Sequence, residues 1–440
     1  MNTHTLIPTV LLALTTSLFS TRVYSQTWTL GQCLDTALTH NKKIMISRNN
    51  AKMSEQKFRE VQGGLMPKVS ANADYRYYTD LPYQLMPKSA FGGPEGLFNE
   101  VQFGVPHNIN ANVQIAMPLY NSQITGAIRT TKIAADISEL QRQKTEEQIY
   151  FEVSNAYYNA QILKHQLAFI AGNQENTKAL LRNMQLLKDQ LLAKGTDVSK
   201  VALQAEQLTT QKQLIENKYD LVLNSLKFLM GVPLETRVEV EHEIFFDPDG
   251  HYIDQTVLDI RLARSQYQLI ESERITLRNS RIPTISLFGT LGTTGFGYDK
   301  SPNDFLHFYP IGFAGIQLTY PIFNGLSTQR KIAQKNLELS NSELQLDLLT
   351  AQNRMQIENA GKQRLIAQRT VETTSAQITL AQSIYDQTLI QQKQGTASLT
   401  DTLLADNSLR EAQQNYLAAI IDYLQADLEL KKITGNILTK

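Results

Sequence analysis

Two clusters in this 440-residue chain have residue types and spacings that could support ligand chemistry. Gly289, Gly292, Gly295 and Gly297 bring permissive backbone together, as phosphate-cradling loops do. Asp247-Pro248-Asp249-Gly250 sets two carboxylates before a glycine, as calcium loops do. Neither pattern is completed. No helix of the required kind follows the glycines, and the segment around them alternates like a strand, so they read as small residues on a strand. Leu258 stands where a calcium loop needs its bidentate Glu, which leaves Asp247 to Gly250 as a turn. The chain has no His-Glu-x-x-His and no Gly-x-x-x-x-Gly-Lys, and its seven histidines do not cluster. The single cysteine, Cys33, excludes an internal disulfide and a thiolate metal cluster. Gln32 is too large for a lipid-attachment signal at Cys33, which reads as a buried small residue on the first helix. No catalytic residue, cofactor or metal ligand is expected, and the chain is not expected to be an enzyme.

The elements that carry these residues are duplicated. Met117-Pro118-Leu119-Tyr120-Asn121 ends an alternating segment and enters a long proline-free polar stretch; Tyr320-Pro321-Ile322-Phe323-Asn324 does the same about 200 residues later. A Gly-Thr pair interrupts each stretch, at Gly195-Thr196 and Gly395-Thr396, and Gly231 and Gly435 close them. A repeated supersecondary unit is an architecture in itself. The reading divides the chain into a signal peptide at 1–25, a first repeat at 26–232, a connector at 233–256 and a second repeat at 257–440.

The signal-peptide reading rests on the apolar stretch from Leu6 to Ser20 and the small residues before Gln26. After it no run of about 18 apolar residues occurs, so no spanning helix is expected. A formal charge of +0 offers no basic surface for nucleic acid on composition, and none is expected as a partner.

All thirteen prolines fall outside Leu119 to Val232 and Ile322 to Lys440. An interior proline costs a helix about 3 kcal/mol, so each window predicts a helical hairpin, at 126–232 and 328–434. Ile149, Val153, Ala156, Ala160, Leu163, Leu167 and Ile170 alternate spacings of four and three, the 3.5-residue period of a supercoiled seam. The return helix repeats it from Val201 to Leu229, with Lys212 the polar interruption, and the last helix from Leu409 to Ile433. The stripe from Thr328 to Gln394 is weaker. A helix from Gly126 to Lys194 would reach roughly 100 Å at 1.5 Å per residue. Narrow stripes on such helices suit a laterally packed wall better than a globular core.

Four segments alternate instead: 68–79, 107–117, 284–296 and 311–320, the last with Phe313, Ile316, Leu318 and Tyr320 as its apolar set. Each is close to the roughly ten residues of a tilted membrane strand. Residues 80–106 and 297–310 are read as loops. Four strands cannot close a barrel, and an open edge in lipid leaves backbone groups unsatisfied at several kcal/mol each, so several copies must pool their strands. A soluble sandwich edge is the plainer reading of isolated alternating segments.

The order helix, Pro67, strand, loop, strand, Pro118, helical hairpin, then Pro283, strand, loop, strand, Pro321, helical hairpin resembles the TolC-type outer membrane efflux proteins. The opening Leu30-Gly31-Gln32-Cys33-Leu34-Asp35-Thr36-Ala37-Leu38-Thr39-His40-Asn41 is similar to that family's first helix, with Lys42 where a proline is common. Leu226-Lys227-Phe228-Leu229-Met230-Gly231-Val232-Pro233 is similar to its repeat end.

The resemblance implies a mainly α fold with a membrane β-barrel: a homotrimer pooling four strands per protomer into one 12-stranded barrel, continuous with an α-helical tunnel. It implies an outer membrane location with a large periplasmic part, in contact with outer membrane lipid. It also implies two partners, a periplasmic adaptor (membrane fusion) protein and an inner-membrane transporter of RND, ABC or MFS type. Lys194, Gly195, Thr196, Gln394, Gly395 and Thr396 correspond to the tips that meet the adaptor. Asp401 corresponds to a constricting acidic residue, with Leu404 where a second acid is frequent and Asp406 nearby; three copies of Asp401 would make a carboxylate ring able to bind cations. Asp401 equally fits a solvated helix-start acid favoured by the helix dipole. Pro67, Pro118, Pro283 and Pro321 fit both a strand-to-helix swivel and ordinary element boundaries. The function implied is the exit duct of a multi-component efflux or type I secretion system, passive and gated at its periplasmic tip. The alternative of another class is a non-transporting periplasmic coiled-coil scaffold.

Overall fold

A computed structural model describes residues 27–245, 250, 252–253 and 255–437. The leader at 1–25 and Asp247 to Asp249 of the acidic turn lie outside the described residues. In chain order the elements are β1 (Thr27–Trp28), α1 (Leu30–His40), α2 (Lys42–Gln62), β2 (Lys68–Tyr77), β3 (Tyr83–Pro87), β4 (Phe98–Gln102), β5 (His107–Tyr120) and α3 (Ser122–Asp189). They continue with α4 (Gly195–Met230), β6 (Glu239–Val240), α5 (Leu258–Asn279), β7 (Thr284–Tyr298), β8 (Phe305–Thr319), α6 (Ser327–Lys393) and α7 (Leu399–Ile433). Among the described residues no helix is long and apolar enough to cross a membrane.

The chain folds as two compact units, and each draws segments from both sequence repeats. One comprises Met1–His40, Glu152–Pro248 and Thr370–Leu424; the other comprises Asn41–Phe151, Asp249–Arg369 and Gln425–Lys440.

The first unit is built of helices. The predicted 3.5-residue stripes are its interior: Val153, Ala160 and Ile170 of α3, Val201, Leu208 and Leu226 of α4, and Leu409 and Tyr423 of α7 are all buried. Ile170, Leu208 and Ile215 form one apolar cluster, and Leu180, Met184 and Val201 form another. α1 packs on α4 and buries Cys33, Leu34 and Ala37. Burial pushes the Cys33 thiol up to about 12, so it remains protonated as a small apolar side chain. The parallel pair β1–β6 closes over α3, where Tyr157 Oη donates to Trp28 O at 2.8 Å.

The second unit holds a four-stranded antiparallel sheet in the order β2-β5-β7-β8. β7 and β8 run further than predicted at their loop ends, whereas β2 stops at Tyr77, short of the predicted 79, and β5 begins at His107 as predicted. Residues 297–310, expected to be a loop, supply the end of β7 and the start of β8, with Pro310 opposite Thr293. β8 is an edge strand of this sheet, where a residue without an N–H donor is tolerated. The expected loop at 80–106 also contains a two-stranded hairpin, β3–β4, pairing Tyr83 with Gln102 through to Pro87 with Phe98. Its Pro and Gly content hid two five-residue strands.

Candidate functional site

The two helical turns have the same backbone form, reached by different residues. After α3, Leu191 N donates to Lys188 O at 2.9 Å and Leu192 N donates to Leu187 O at 2.8 Å, with Leu191 at φ +60°. After α6, Gly395 N donates to Gln392 O and Thr396 N to Gln391 O, both at 3.0 Å, with Gly395 at φ +76°. Both are Schellman-type ends, in which a left-handed residue turns the next amide back to a free carbonyl. Leu191, not Gly195, is therefore the counterpart of Gly395. Gly195 and Thr196 begin α4 itself, and the residue before them, Lys194, makes no side-chain cap. Leu191 is 93% exposed and Leu192 72%, so the first turn displays a pair of leucines that the sequence reading overlooked.

The start of α7 is a reciprocal capping box. Asp401 N donates to Ser398 Oγ at 3.2 Å, while Asp401 Oδ2 accepts from Ser398 N at 2.9 Å and from Ser398 Oγ at 2.7 Å. These bonds favour the charged form and hold the Asp401 carboxyl below the usual carboxylate range. One turn on, Leu404 is 67% exposed. Asp406 is separated from this pair: it is buried on the opposite side of α7, ion-paired with Arg410, and accepts from Gln204 Nε2 at 2.5 Å. Arg410 in turn donates to Thr177 Oγ1 at 3.3 Å. The network ties α3, α4 and α7 together inside the first unit. Burial pushes the Asp406 carboxyl up, against the pull of Arg410. Of the three acidic or apolar positions expected at a gate, only Asp401 and Leu404 are exposed; Asp406 is committed to packing.

The four prolines sit at strand ends. Pro67 and Pro283 each precede a strand by one residue. Pro118 lies within the last residues of β5, where the ladder to β7 shifts register between Pro118 and Tyr120. Pro321 falls in the irregular segment between β8 and α6, with Gly325 and Leu326 at positive φ. The two matching Asn residues then diverge. Asn121 Oδ1 accepts from Gln123 N at 2.9 Å and Ile124 N at 3.2 Å, capping α3 directly. Asn324 lies three residues before α6.

The ladder register sorts the sheet into two faces. One carries the rows Val69, Ile115, Gly289, Ala314 and Ala71, Val113, Leu291, Gly312. The other carries the rows Ser70, Gln114, Thr290, Phe313 and Asp74, Asn110, Thr294, Tyr309. The first face is apolar across all four strands. The second is polar on β2 and β5 and aromatic on β8. Phe313 is thus on the face opposite to Ile316, which lies across from Leu287. The expected single apolar set of this strand was wrong because three residues separate the two, an odd number that reverses the face.

Two helices also present apolar stripes to the outside. On α4, Leu203, Leu214, Leu221 and Phe228 are 58–69% exposed. On α6, Leu337, Leu344, Leu348 and Met355 are 51–70% exposed. Their spacings of four, seven and eleven keep each set on one heptad seam.

Comparison with known proteins agrees with this architecture. The sequence profile of the family described as outer membrane efflux protein matches residues 255–436. Outer membrane protein TolC of Salmonella enteritidis is 19% identical over 442 aligned residues, covering 97% of this chain and 86% of that protein. The alkaline protease secretion protein AprF of Pseudomonas aeruginosa is 21% identical, covering 74% of this chain and 69% of that protein. The crystal structure of the outer membrane protein VceC from Vibrio cholerae superposes with a TM-score of 0.74 at 15% identity, covering 92% of this chain and 96% of that one. The fold is that of the outer membrane channels.

Proposed function

We propose that this TolC-like outer membrane protein, whose residues 255–436 carry the efflux-protein pattern, is the passive exit duct of a multi-component efflux or type I secretion system. The observation that carries the reading is the four-stranded antiparallel sheet, apolar across one face and open at both edges, β2 and β8. In lipid those edges require partners. Because strand directions alternate through an even number of strands, β8 of one copy meets β2 of the next antiparallel, and copies join without breaking the pattern. Three copies pool twelve strands, the homotrimer that the family resemblance implies. The apolar seams on α4 and α6 supply lateral contacts for the helices of adjoining copies.

In this reading the repeats at 26–232 and 257–440 are equivalent halves of one protomer, joined by the connector at 233–256. The turns at Lys194 to Thr196 and Gln394 to Thr396, together with Leu191 and Leu192, meet a periplasmic adaptor. An inner-membrane transporter of RND, ABC or MFS type provides the energy. Asp401 and Leu404 line the gate as threefold rings, and Asp406 holds α7 in place from behind. The junction prolines redirect the chain from strand to helix. The test is the mass of the detergent-purified protein with and without boiling. A trimer that resists detergent until heated supports the pooled barrel; a monomer that needs no detergent to stay in solution overturns it.

A further inference from the structure

A barrel formed by the proposed pooling turns its apolar face to lipid and its second face to the lumen, and this inference rests on that reading. On β2 and β5 the second face is what a water-filled lumen requires, with Asn72, Asp74, Asn110, Asn112 and Gln114 among its residues. On the second hairpin it is not. Tyr309, Ile311 and Phe313 occupy three successive positions of that face on β8 and are 55%, 42% and 53% exposed. β7 adds Phe288, whose ring meets Phe313 edge-on at 6.3 Å, and Phe296, whose ring lies 6.1 Å from Tyr309. Barrel closure makes no demand for this. The lipid-facing positions of β8 already carry Phe308, Ile316 and Leu318 on the other face, and alternation would put polar residues between them, as it does on β2 and β5.

We infer that the lumenal face of the β7–β8 hairpin is a contact strip for cargo, and that the cargo class it takes is aromatic, largely apolar small molecules. Three features of the strip select that class. The pooling sets the next copy's β2 beside β8, and Asp74 and Arg76 on that strand pair with each other at 3.0 Å, which leaves stacking and apolar contact as the means of recognition. Successive residues on one face of a strand are about 7 Å apart, a step that one fused ring system spans. The floor between the rings is low, because Phe288 lies across Gly315, with a ring carbon 2.9 Å from where a Cβ would stand. Three copies would set three aromatic strips between three polar ones, letting a ring-bearing solute pass from strip to strip while water and ions follow the amides.

The test is single-channel recording of the full chain in planar bilayers, with rhodamine 6G added as the aromatic probe and tetraethylammonium as a non-aromatic cation of the same charge. Rhodamine 6G should block the wild-type channel with a residence time roughly three- to ten-fold longer than it shows in Tyr309→Ser/Phe313→Ser. Tetraethylammonium should not distinguish the two, and Phe313→Tyr should keep the long blockades. If the serine variant does not insert, Tyr309→Leu/Phe313→Leu keeps an apolar strand, removes the rings, and should shorten the blockades likewise. Equal rhodamine residence in wild type and ring-free variant, with normal channels in both, overturns the cargo inference and leaves the duct reading standing. Absence of channels from the wild type overturns both.

Discussion

Asp406, buried in the first unit beside Gln204, forms an ion pair one turn along α7 with the half-buried Arg410, which also reaches Thr177. Neither residue stands out in sequence, yet together they fasten α3, α4 and α7, beside a second buried polar link from Asn173 Nδ2 to Gln413 Oε1 at 2.9 Å. Removing one partner leaves the other charge buried and unpaired. Asp406→Ala should therefore cost about 3–5 kcal/mol, measured by chemical denaturation of the helical signal. Replacing both, as Asp406→Leu/Arg410→Met, should recover most of that loss.

The capping box at Ser398 and Asp401 predicts a pH response localised to one helical turn. The folded-state value of Asp401 is depressed, so its contribution is present above the ordinary Asp value of about 4 and is lost as pH falls through the lower folded value. Amide exchange in the first turn of α7 should accelerate in that acidic window. Ser398→Ala should reproduce the acceleration at neutral pH and cost about 1 kcal/mol.

At the two turns, the same left-handed position is held by Leu191 and by Gly395. Leu191→Gly should stabilise the protein by about 1 kcal/mol, because a branched side chain is strained there. Gly395→Ala should destabilise it by a similar amount. Paired thermal melts would check both, and a loss on Leu191→Gly would contradict the assignment.

The open seam of α4 gives a prediction about assembly. Leu214→Lys/Leu221→Lys places charge on exposed positions, so a single copy should keep its helical content. The oligomer should dissociate, as read by mass in detergent. In the sheet, Gly292→Val should prevent assembly differently: a Cβ there would stand 2.3 Å from Ala111 O, too close for β5 and β7 to pair.

Much of this molecule was legible in the sequence, for identifiable reasons. The 3.5-residue stripes of α3, α4 and α7 turn inward, with Val153, Ala160, Leu208 and Leu409 buried and Ala156, Leu163 and Tyr416 half-buried, because helical periodicity depends on spacing alone. Strand cores were visible by alternation, but their ends were not. Pro310 reads as a loop signal until β8 is known to lie at a sheet edge, and the β3–β4 hairpin is obscured by its Pro and Gly neighbours. The Gly-Thr pairs misled because identical dipeptides occupy positions four residues out of step, Gly195 inside a helix and Gly395 after one. Asp406 looked like a companion of Asp401 by proximity. The 100° turn per residue sends the two carboxylates to different sides of α7, one exposed and one buried.

If Asp401 forms a ring at the gate, Asp401→Asn should lower cation selectivity and weaken divalent block without altering the amount of trimer. Unchanged selectivity and block would return Asp401 to the single role of helix cap.

Planar-bilayer conductance of the detergent-purified protein, with mass determined on the same preparation, tests the central claim most directly. Discrete, long-lived channels from a trimer are the predicted result. A water-soluble species that never conducts would contradict the pooled barrel and make the helices those of a periplasmic scaffold.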